Sequence, residues 1–418
     1  MGEPVARIGL IYNRIKKITA LHLNSISITN FKNIADARLR FSPKINCFLG
    51  NNGMGKSNLL DAIYYLSFCK SFSGLTDSAI MKRGEDFVTL RGEYTRKGIA
   101  EELQMGFMAG KRKSFKRGGK EYDRLSAHIG LFPLAMVSPA DQELITGTGE
   151  ERRRFMDQVI SQTDAVYLDH LIRYNRALQQ RNKLLRDHVV DHSLYMALEL
   201  GMERSAAYIT RARERWVEKL TEIFEKYYTR IAADGERPAM MLRSHLAGRP
   251  DDLIVLLDQN RLRDEMLGHT TVGPHRDDIE LMLNDMPVRR AASQGQCKTY
   301  TIALRLAQYD FMREASGMRP LLLLDDIFDK LDATRVERLV EIVSEDIFGQ
   351  IFITDTNRDH LDHIMAQSGH DYRSWEVKEG AFTLNSSSET MEDEAETTAE
   401  EPETADGEAP EAGKEGEA

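Results

Sequence analysis

The sequence predicts an α/β fold with a long helical block inserted into it, and three observations carry that expectation. A glycine-rich loop, residues 50–57, sits between a strand-like segment ending at Leu49 and a helical pattern through Leu59, Leu60, Ile63 and Leu66. Two short apolar runs late in the chain, residues 321–324 and 351–353, have the continuous aliphatic character of strands buried on both faces of a parallel sheet. Between the loop and those runs, from Gly149 to Gly235, Gly201 is the only helix breaker.

Taken in order, residues 1–20 carry Arg7, Arg14, Lys16 and Lys17 but lack the apolar core and cleavage site of a signal peptide, so they read as an upstream extension or a misplaced start, with a functional arm as the alternative. The ordered fold is expected to begin near Leu21, where alternating apolar positions over residues 23–29 predict a strand and residues 45–49 a second. In the helical block Tyr167, Leu171, Tyr174 and Leu178, then Trp216, Leu220, Ile223, Tyr227 and Ile231, recur at helical spacing. Strand-like and mixed segments return after Pro238. Beyond Ser386 the Glu, Thr, Ala, Gly and Pro composition cannot bury enough apolar surface to offset chain entropy, which predicts a disordered, solubilising acidic tail. The expected division is therefore an extension (1–20), the first part of an α/β head (21–146), a mainly helical insertion (147–267), the second part of the head (268–385) and the tail (386–418).

Composition excludes some classes and leaves others open. With 418 residues, 41% apolar and 29% charged, the chain can hold two or three domains of ordinary globular character. Its longest aliphatic run is far too short to cross a bilayer, so no membrane partner is expected. Cys47, Cys69 and Cys297 are too scattered for a disulfide framework or a zinc site, which points to a reducing cytoplasm. The net charge of −10 is concentrated in the last thirty residues, leaving a body close to neutral, so charge neither supports nor excludes a nucleic-acid partner.

Three motifs carry chemistry. Gly50-Asn51-Asn52-Gly53-Met54-Gly55-Lys56-Ser57 fits the phosphate-binding pattern G-x-x-x-x-G-K-[ST] in its strand-to-helix setting. The glycines let backbone N–H groups curl around phosphates, Lys56 reaches the β/γ oxygens, the Ser57 hydroxyl ligates Mg²⁺, and the helix N-terminus favours negative charge. ATP and Mg²⁺ are the expected cofactors. Asp325 and Asp326, at the end of the run 321–324, supply a carboxylate for Mg²⁺ and a general base respectively; an N-cap after a buried strand is the plainer reading of such acids. Many related sites carry the longer glutamate at the second position, so slow turnover is expected. Ser293-Gln294-Gly295-Gln296, ahead of a helical stretch through Thr301, Leu304 and Gln308, resembles the ABC signature loop. In that arrangement Ser293, the Gly295 backbone and the helix start at Gln296 meet the γ-phosphate held by a second subunit. The order of P-loop, signature, Asp-Asp and then Leu331-Asp332 as a D-loop is the ABC order.

The same residues, with others, narrow the resemblance to the RecF family. Ser25-Ile26-Ser27-Ile28-Thr29-Asn30-Phe31-Lys32-Asn33-Ile34 resembles that family's opening strand, and Gly50-Asn51-Asn52-Gly53 its P-loop variant. Ser138-Pro139-Ala140-Asp141, Glu151-Arg152-Arg153-Arg154-Phe155-Met156-Asp157, Gly273-Pro274-His275-Arg276-Asp277-Asp278 and Asp325-Asp326-Ile327-Phe328-Asp329-Lys330-Leu331-Asp332 are similar to further family segments. The resemblance covers residues 21–384, so the extension and the tail inherit no role. It implies an ABC/SMC-like P-loop ATPase head with an inserted helical arm domain and a weak DNA-stimulated ATPase acting as a switch. It also implies an ATP-dependent homodimer, binding to single-stranded and gapped double-stranded DNA, and cooperation with RecR and RecO in placing RecA on DNA during repair, replication restart and the SOS response. At residues 351–356 Thr354 or Thr356 stands where a switch histidine is expected, and Asp141 and Gln142 compete for the Q-loop position.

For DNA contacts the residues offer a hairpin, Lys111-Arg112-Lys113-Ser114-Phe115-Lys116-Arg117-Gly118-Gly119-Lys120, with six bases in ten positions, which suits phosphate contact or merely a solvated tip. Arg152, Arg153 and Arg154 fit either DNA or the ATPase core, while His275 and Arg276 fit structural roles. Two other functions share parts of the pattern. A transporter motor subunit has the P-loop and signature but no need of the helical insertion, and a small-molecule kinase has no use for the signature.

Overall fold

Apolar alternation builds β1 (Leu21–Phe31), which turns into β2 (Ile34–Arg40) before β3 (Ile45–Leu49) and helix α1 (Lys56–Phe68). They open a computed structural model that describes residues 19–232, 235–328, 331–368 and 371–388. Of the expected extension only Thr19 and Ala20 are described, and the acidic tail from position 389 lies outside the described residues. Next come β4 (Phe87–Arg96), β5 (Ile99–Met108), β6 (Ser114–Arg117), β7 (Lys120–Glu121) and β8 (Leu134–Val137). Helices α2 (Glu143–Thr146), α3 (Gly149–Thr163), α4 (Ala165–Arg186) and α5 (His192–Ile231) follow. Then β9 (Pro238–Arg243), α6 (Leu253–Gln259), α7 (Arg261–Leu267), β10 (Asp278–Leu283), β11 (Met286–Pro287), α8 (Val288–Ala291) and α9 (Gln294–Ser316) lead back to the sheets. Last are β12 (Leu321–Asp325), α10 (Ala333–Val343), β13 (Ile351–Asp355), α11 (Arg358–Ser368), β14 (Tyr372–Lys378) and β15 (Ala381–Ser387).

The wholly apolar runs form the middle of a six-stranded sheet in the order β15-β14-β3-β13-β12-β8, parallel except for the β14–β15 hairpin. Side chains alternate across a strand, so each run feeds two cores. On β12, Leu322 and Leu324 face the helices of the insertion and α9, whereas Leu321 and Leu323 join the core beneath a second, antiparallel sheet ordered β2-β1-β4-β5-β6-β7. Helix α1 lies in that second core, and every residue from Leu59 to Phe68 is buried. Such all-round burial explains why the segment after the P-loop has no polar stripe.

The insertion breaks where side chains cap it rather than at its glycine. Asp164 accepts the Tyr167 N–H at 2.9 Å at the start of α4, and Asp191 accepts the Ser193 N–H at the start of α5. Gly201 lies within the forty-residue helix α5, exposed and touching nothing. Two buried arginines tie the helices together. Arg181 on α4 bonds Glu199 on α5 at 2.9 Å and Asp264 on α7 at 2.8 Å; Arg213 on α5 bonds Asp157 on α3 and Asp277 ahead of β10, each at 2.7 Å. A three-stranded sheet, β11-β10-β9, spans position 267, because β9 pairs antiparallel with β10 from Arg243↔Asp278 to Pro238↔Leu283. At the other end β15 runs through Ser387 and the Ser388 N–H donates to the Tyr372 carbonyl, so pairing continues past Ser386. Among the described residues no helix is long and apolar enough to cross a membrane.

Candidate nucleotide-binding site

The P-loop lies where β3 hands over to α1, between two other segments of the sheet. The Gly50 N–H donates to the Asp355 carbonyl at the end of β13, and the Met54 carbonyl accepts hydrogen bonds from the Gly380 N–H at 2.7 Å and the Asn33 amide at 3.2 Å. Two glycines are required by this packing. A Cβ at position 50 would stand 2.4 Å from the Val377 carbonyl oxygen, and Gly55 takes φ 116° with Asn33 and Gly380 against it. Asn33, which also accepts from the Asn58 amide at 2.8 Å, braces the loop, a role its place in the opening strand segment does not signal.

Lys56, 3% exposed, donates to the Gly50 carbonyl at 2.6 Å and the Asn51 carbonyl at 3.2 Å, and lies 3.9 Å from Asp326. Its ammonium is thus held inside the loop it would leave to meet a phosphate. The Ser57 hydroxyl donates to Asp325 Oδ1 at 2.8 Å, and the Thr354 hydroxyl donates to the same oxygen at 2.7 Å. Burial pushes the Asp325 carboxyl above the ordinary aspartate range; Thr354, Ser57 and the charge of Lys56 oppose that shift. Asp326 takes the left-handed φ of 45°, and its N–H donates to the Thr354 hydroxyl at 3.1 Å. Gly50, Asn51, Asn52, Gly53, Met54, Gly55, Lys56, Ser57, Asp325 and Asp326 are therefore one constellation. A serine hydroxyl and a carboxylate oxygen side by side are the kind of hard oxygen ligands that suit Mg²⁺, which takes few protein ligands and completes its shell with phosphate and water.

Ser293 stands apart from that constellation. It caps α9, accepting the Gln296 N–H at 3.2 Å while its own N–H donates to the Gln296 side chain at 2.8 Å, a reciprocal capping box. Ser293 is exposed, Gln296 reaches Glu236 at 2.9 Å, and a Cβ on Gly295 would stand 2.8 Å from the Arg335 guanidinium. None of these contacts reaches the P-loop of the same chain. Asp332 caps α10 through the Arg335 N–H; Asp329 and Lys330 of the same motif lie outside the described residues.

The open alternatives separate on geometry. Thr354 is fully buried and holds Asp325, whereas Thr356 is exposed. Asp141 turns inward to Arg305 at 2.5 Å, while Gln142 lines a cavity of about 140 Å³ with Gln294, Lys298, Asp325 and Asp326. Among the candidate DNA contacts, Arg152 is bound to Asp278 at 2.7 Å and Arg153 to the Asp277 carbonyl at 2.8 Å. His275 lies between the Tyr174 hydroxyl and the Thr270 carbonyl, with burial pulling its pKa down to about 4, and Arg276 donates to the same carbonyl. Residues 114–121 form the expected hairpin with Gly118 and Gly119 at its turn, but Arg117 is paired with Glu101 and Lys113 with Asp77.

Residues 22–374 match the RecF/RecN/SMC N terminal domain family. The chain is 49% identical over 361 residues to the DNA replication and repair protein RecF of Bacteroides fragilis, covering 86% of this chain and 97% of that protein. Its fold is similar to the solved structure of the recombination mediator protein RecF-ATPrS in the RecFOR pathway, with a TM-score of 0.79 and 27% identity over 89% of this chain and 100% of the other. An Smc head domain with an extended coiled coil from Pyrococcus furiosus shares the fold alone, at a TM-score of 0.53 and 17% identity over 87% of this chain and 96% of that one.

Proposed function

The chain belongs to the RecF family, and on that premise we propose that it is an ATP-gated DNA clamp of recombinational repair and replication, in which hydrolysis resets binding. The observation that carries the reading is that the bonds made by Ser293 and Gln296 stay within the start of α9 and at Glu236 and none reaches the phosphate loop of the same protomer, so that a second copy would supply Ser293, Gly295 and Gln296. A transporter motor subunit is not favoured, since the matching family is that of RecF, RecN and SMC proteins.

On this reading Lys56 exchanges its carbonyl partners for the β/γ oxygens of ATP, and the P-loop amides hold the remaining phosphate charge. Ser57 and Asp325 would hold Mg²⁺, which when bound neutralises phosphate charge and fixes the γ-phosphoryl group for attack. Asp326 accepts a proton from the attacking water as its oxygen bonds to the γ-phosphorus and the bond to ADP breaks. Gln142 is the Q-loop residue and Thr356 the γ-phosphate sensor, both having access to the site or to solvent. Residues 21–146 and 268–385 form the head and 147–267 the arm, with the β9–β10 pairing binding the two across position 267. Partners are single-stranded and gapped double-stranded DNA, a second copy of the chain, and RecR, RecO and RecA; the setting is cytoplasmic.

A steady-state ATPase assay with and without gapped duplex tests the reading. Slow turnover that rises with DNA supports the clamp. Turnover indifferent to DNA, with no DNA binding in ATP, overturns it.

A further inference from the structure

Helix α1 ends at Cys69, whose carbonyl accepts a 2.8 Å hydrogen bond from the Lys113 ammonium. Lys113 also bonds the Tyr65 hydroxyl and Asp77, so the basic segment beginning at Lys111 is anchored against the end of the P-loop helix. One residue on, Lys70 stands at the mouth of a cleft between α1 and α3. Two cavities, of about 460 and 520 Å³, adjoin there, sharing Lys70, Arg154 and Gln158 in their walls.

Charge at that shared wall is unbalanced. Asp157 is engaged by Arg213 and Tyr167, and Asp141 by Arg305. Glu150 meets Arg154 at 3.1 Å only at the open rim, where both side chains are more than 60% exposed. Glu143 and Glu151 line the second cavity, the latter already accepting the Thr148 hydroxyl at 2.6 Å. Lys70 donates no hydrogen bond to any described residue, and Arg153 donates to a neutral carbonyl. Crowding by the cleft walls, then the positive charge of Arg154, pulls the Lys70 pKa below the ordinary lysine value, against a smaller opposing pull from Asp157. Burial acts on Arg153 in the same direction. Lys70 itself is exposed, so an arriving anion meets two cations, Lys70 and Arg154, presented by the same wall.

We propose that this cleft seats a backbone phosphate of bound DNA, with Lys70 and Arg154 as donors and the exposed Lys111 and Arg112 continuing the same track across the head. The assignment rests on the reading of the chain as a DNA-binding protein and names the surface that does the binding. A polymer fits better than a small anion, because the cations are spread over two adjoining cavities and a basic segment pinned to the end of α1, more than one small anion could engage. Helix α1 joins the two sites: its thirteen residues carry Lys56 and Ser57 at one end and lead to Lys70 at the other, a rise of about 20 Å.

Anisotropy of a labelled gapped duplex, measured with ATP from about 50 to about 200 mM salt, tests the seat. Lys70→Glu and Arg154→Glu should each weaken binding about tenfold or more and make the dependence of log Kd on log salt shallower by about one. Lys70→Arg should keep both. An unchanged salt slope in variants that unfold at the wild-type temperature overturns the assignment, including when affinity falls, since that pattern marks structural damage or a protein-docking face. Titration with inorganic phosphate separates the remaining source: phosphate binding lost in Lys70→Glu while DNA binding and its slope persist identifies a small-anion site only, again overturning it. If the wild-type protein itself ignores gapped duplex, the functional reading falls first.

Discussion

Thr354 shows how much of the site rests on single atoms. One hydroxyl donates to Asp325 and accepts from the Asp326 N–H, so it sets the spacing of both acids. Asp326→Asn keeps that backbone and its size but cannot take a proton; ATP binding should persist while turnover falls at least a hundredfold, on the order typical of losing a general base. Radiolabelled-phosphate release under saturating ATP checks this, and undiminished turnover would assign the base elsewhere. His275 makes a prediction of the opposite kind, about stability. Its two ring nitrogens lie 2.8 Å from the Tyr174 hydroxyl and 3.0 Å from the Thr270 carbonyl, a pairing that suits the neutral ring. Because burial lowers its pKa from 6.5 to about 4, the unfolded chain binds a proton that the fold refuses, and stability present above about pH 6.5 is lost as the pH falls towards 4. The slope is about 1.4 kcal/mol per pH unit for one such group, and His128, also lowered to about 4 by burial, adds a second. Urea midpoints should therefore drop between pH 7 and pH 5, and His275→Gln should flatten part of the drop; identical slopes would contradict the assignment.

At the scale of elements, α5 and its neighbours separate propensity from packing. Gly201 costs the helix backbone entropy and returns no contact, so Gly201→Ala should stabilise the chain by about 0.5–1 kcal/mol, read as a higher urea midpoint. Destabilisation would mean that the position is needed by something other than the helix. Arg213 is the reverse case, a residue whose cost is covered only by its partners. Removing it as Arg213→Ala leaves Asp157 and Asp277 facing each other without their cation, and should cost about 3–5 kcal/mol. Thermal unfolding reads the loss. A change below about 1 kcal/mol would show that the network is solvated and contributes little to docking the helices on the head.

For the whole molecule, the proposed function requires that the site be completed between copies. Ser293→Arg should leave nucleotide binding by one protomer intact while abolishing ATP-driven dimerisation, because a long cation fills the space where the capped start of α9 must approach the partner's γ-phosphate. Lys56→Ala should fail earlier, at nucleotide binding. Mixed together, the two proteins form a dimer with one doubly defective site and one intact site, so partial ATP-dependent dimerisation should return in light scattering. A mixture that stays monomeric, with each variant folded, removes support for the shared site; Ser293→Arg that dimerises normally removes the signature assignment.

What the sequence determined by itself was everything governed by local pattern. The strand, loop and helix of residues 45–68, the paired acids ending an aliphatic run, the order of motifs and the helical character of the insertion all follow from periodicity and from residue types whose chemistry is specific to phosphates. Tertiary structure alone decided which polar side chains remain available. Thr354 and Thr356 are two positions apart on one strand end, yet one is buried and one exposed, and Arg152 and Arg154 read alike until Asp278 claims the first. Asn33 and Gly380 lie 347 positions apart and still clasp the same Met54 carbonyl. Such pairings have no signal in a linear pattern, because burial and hydrogen-bond satisfaction are set by residues distant in the chain and fixed only when the sheets pack.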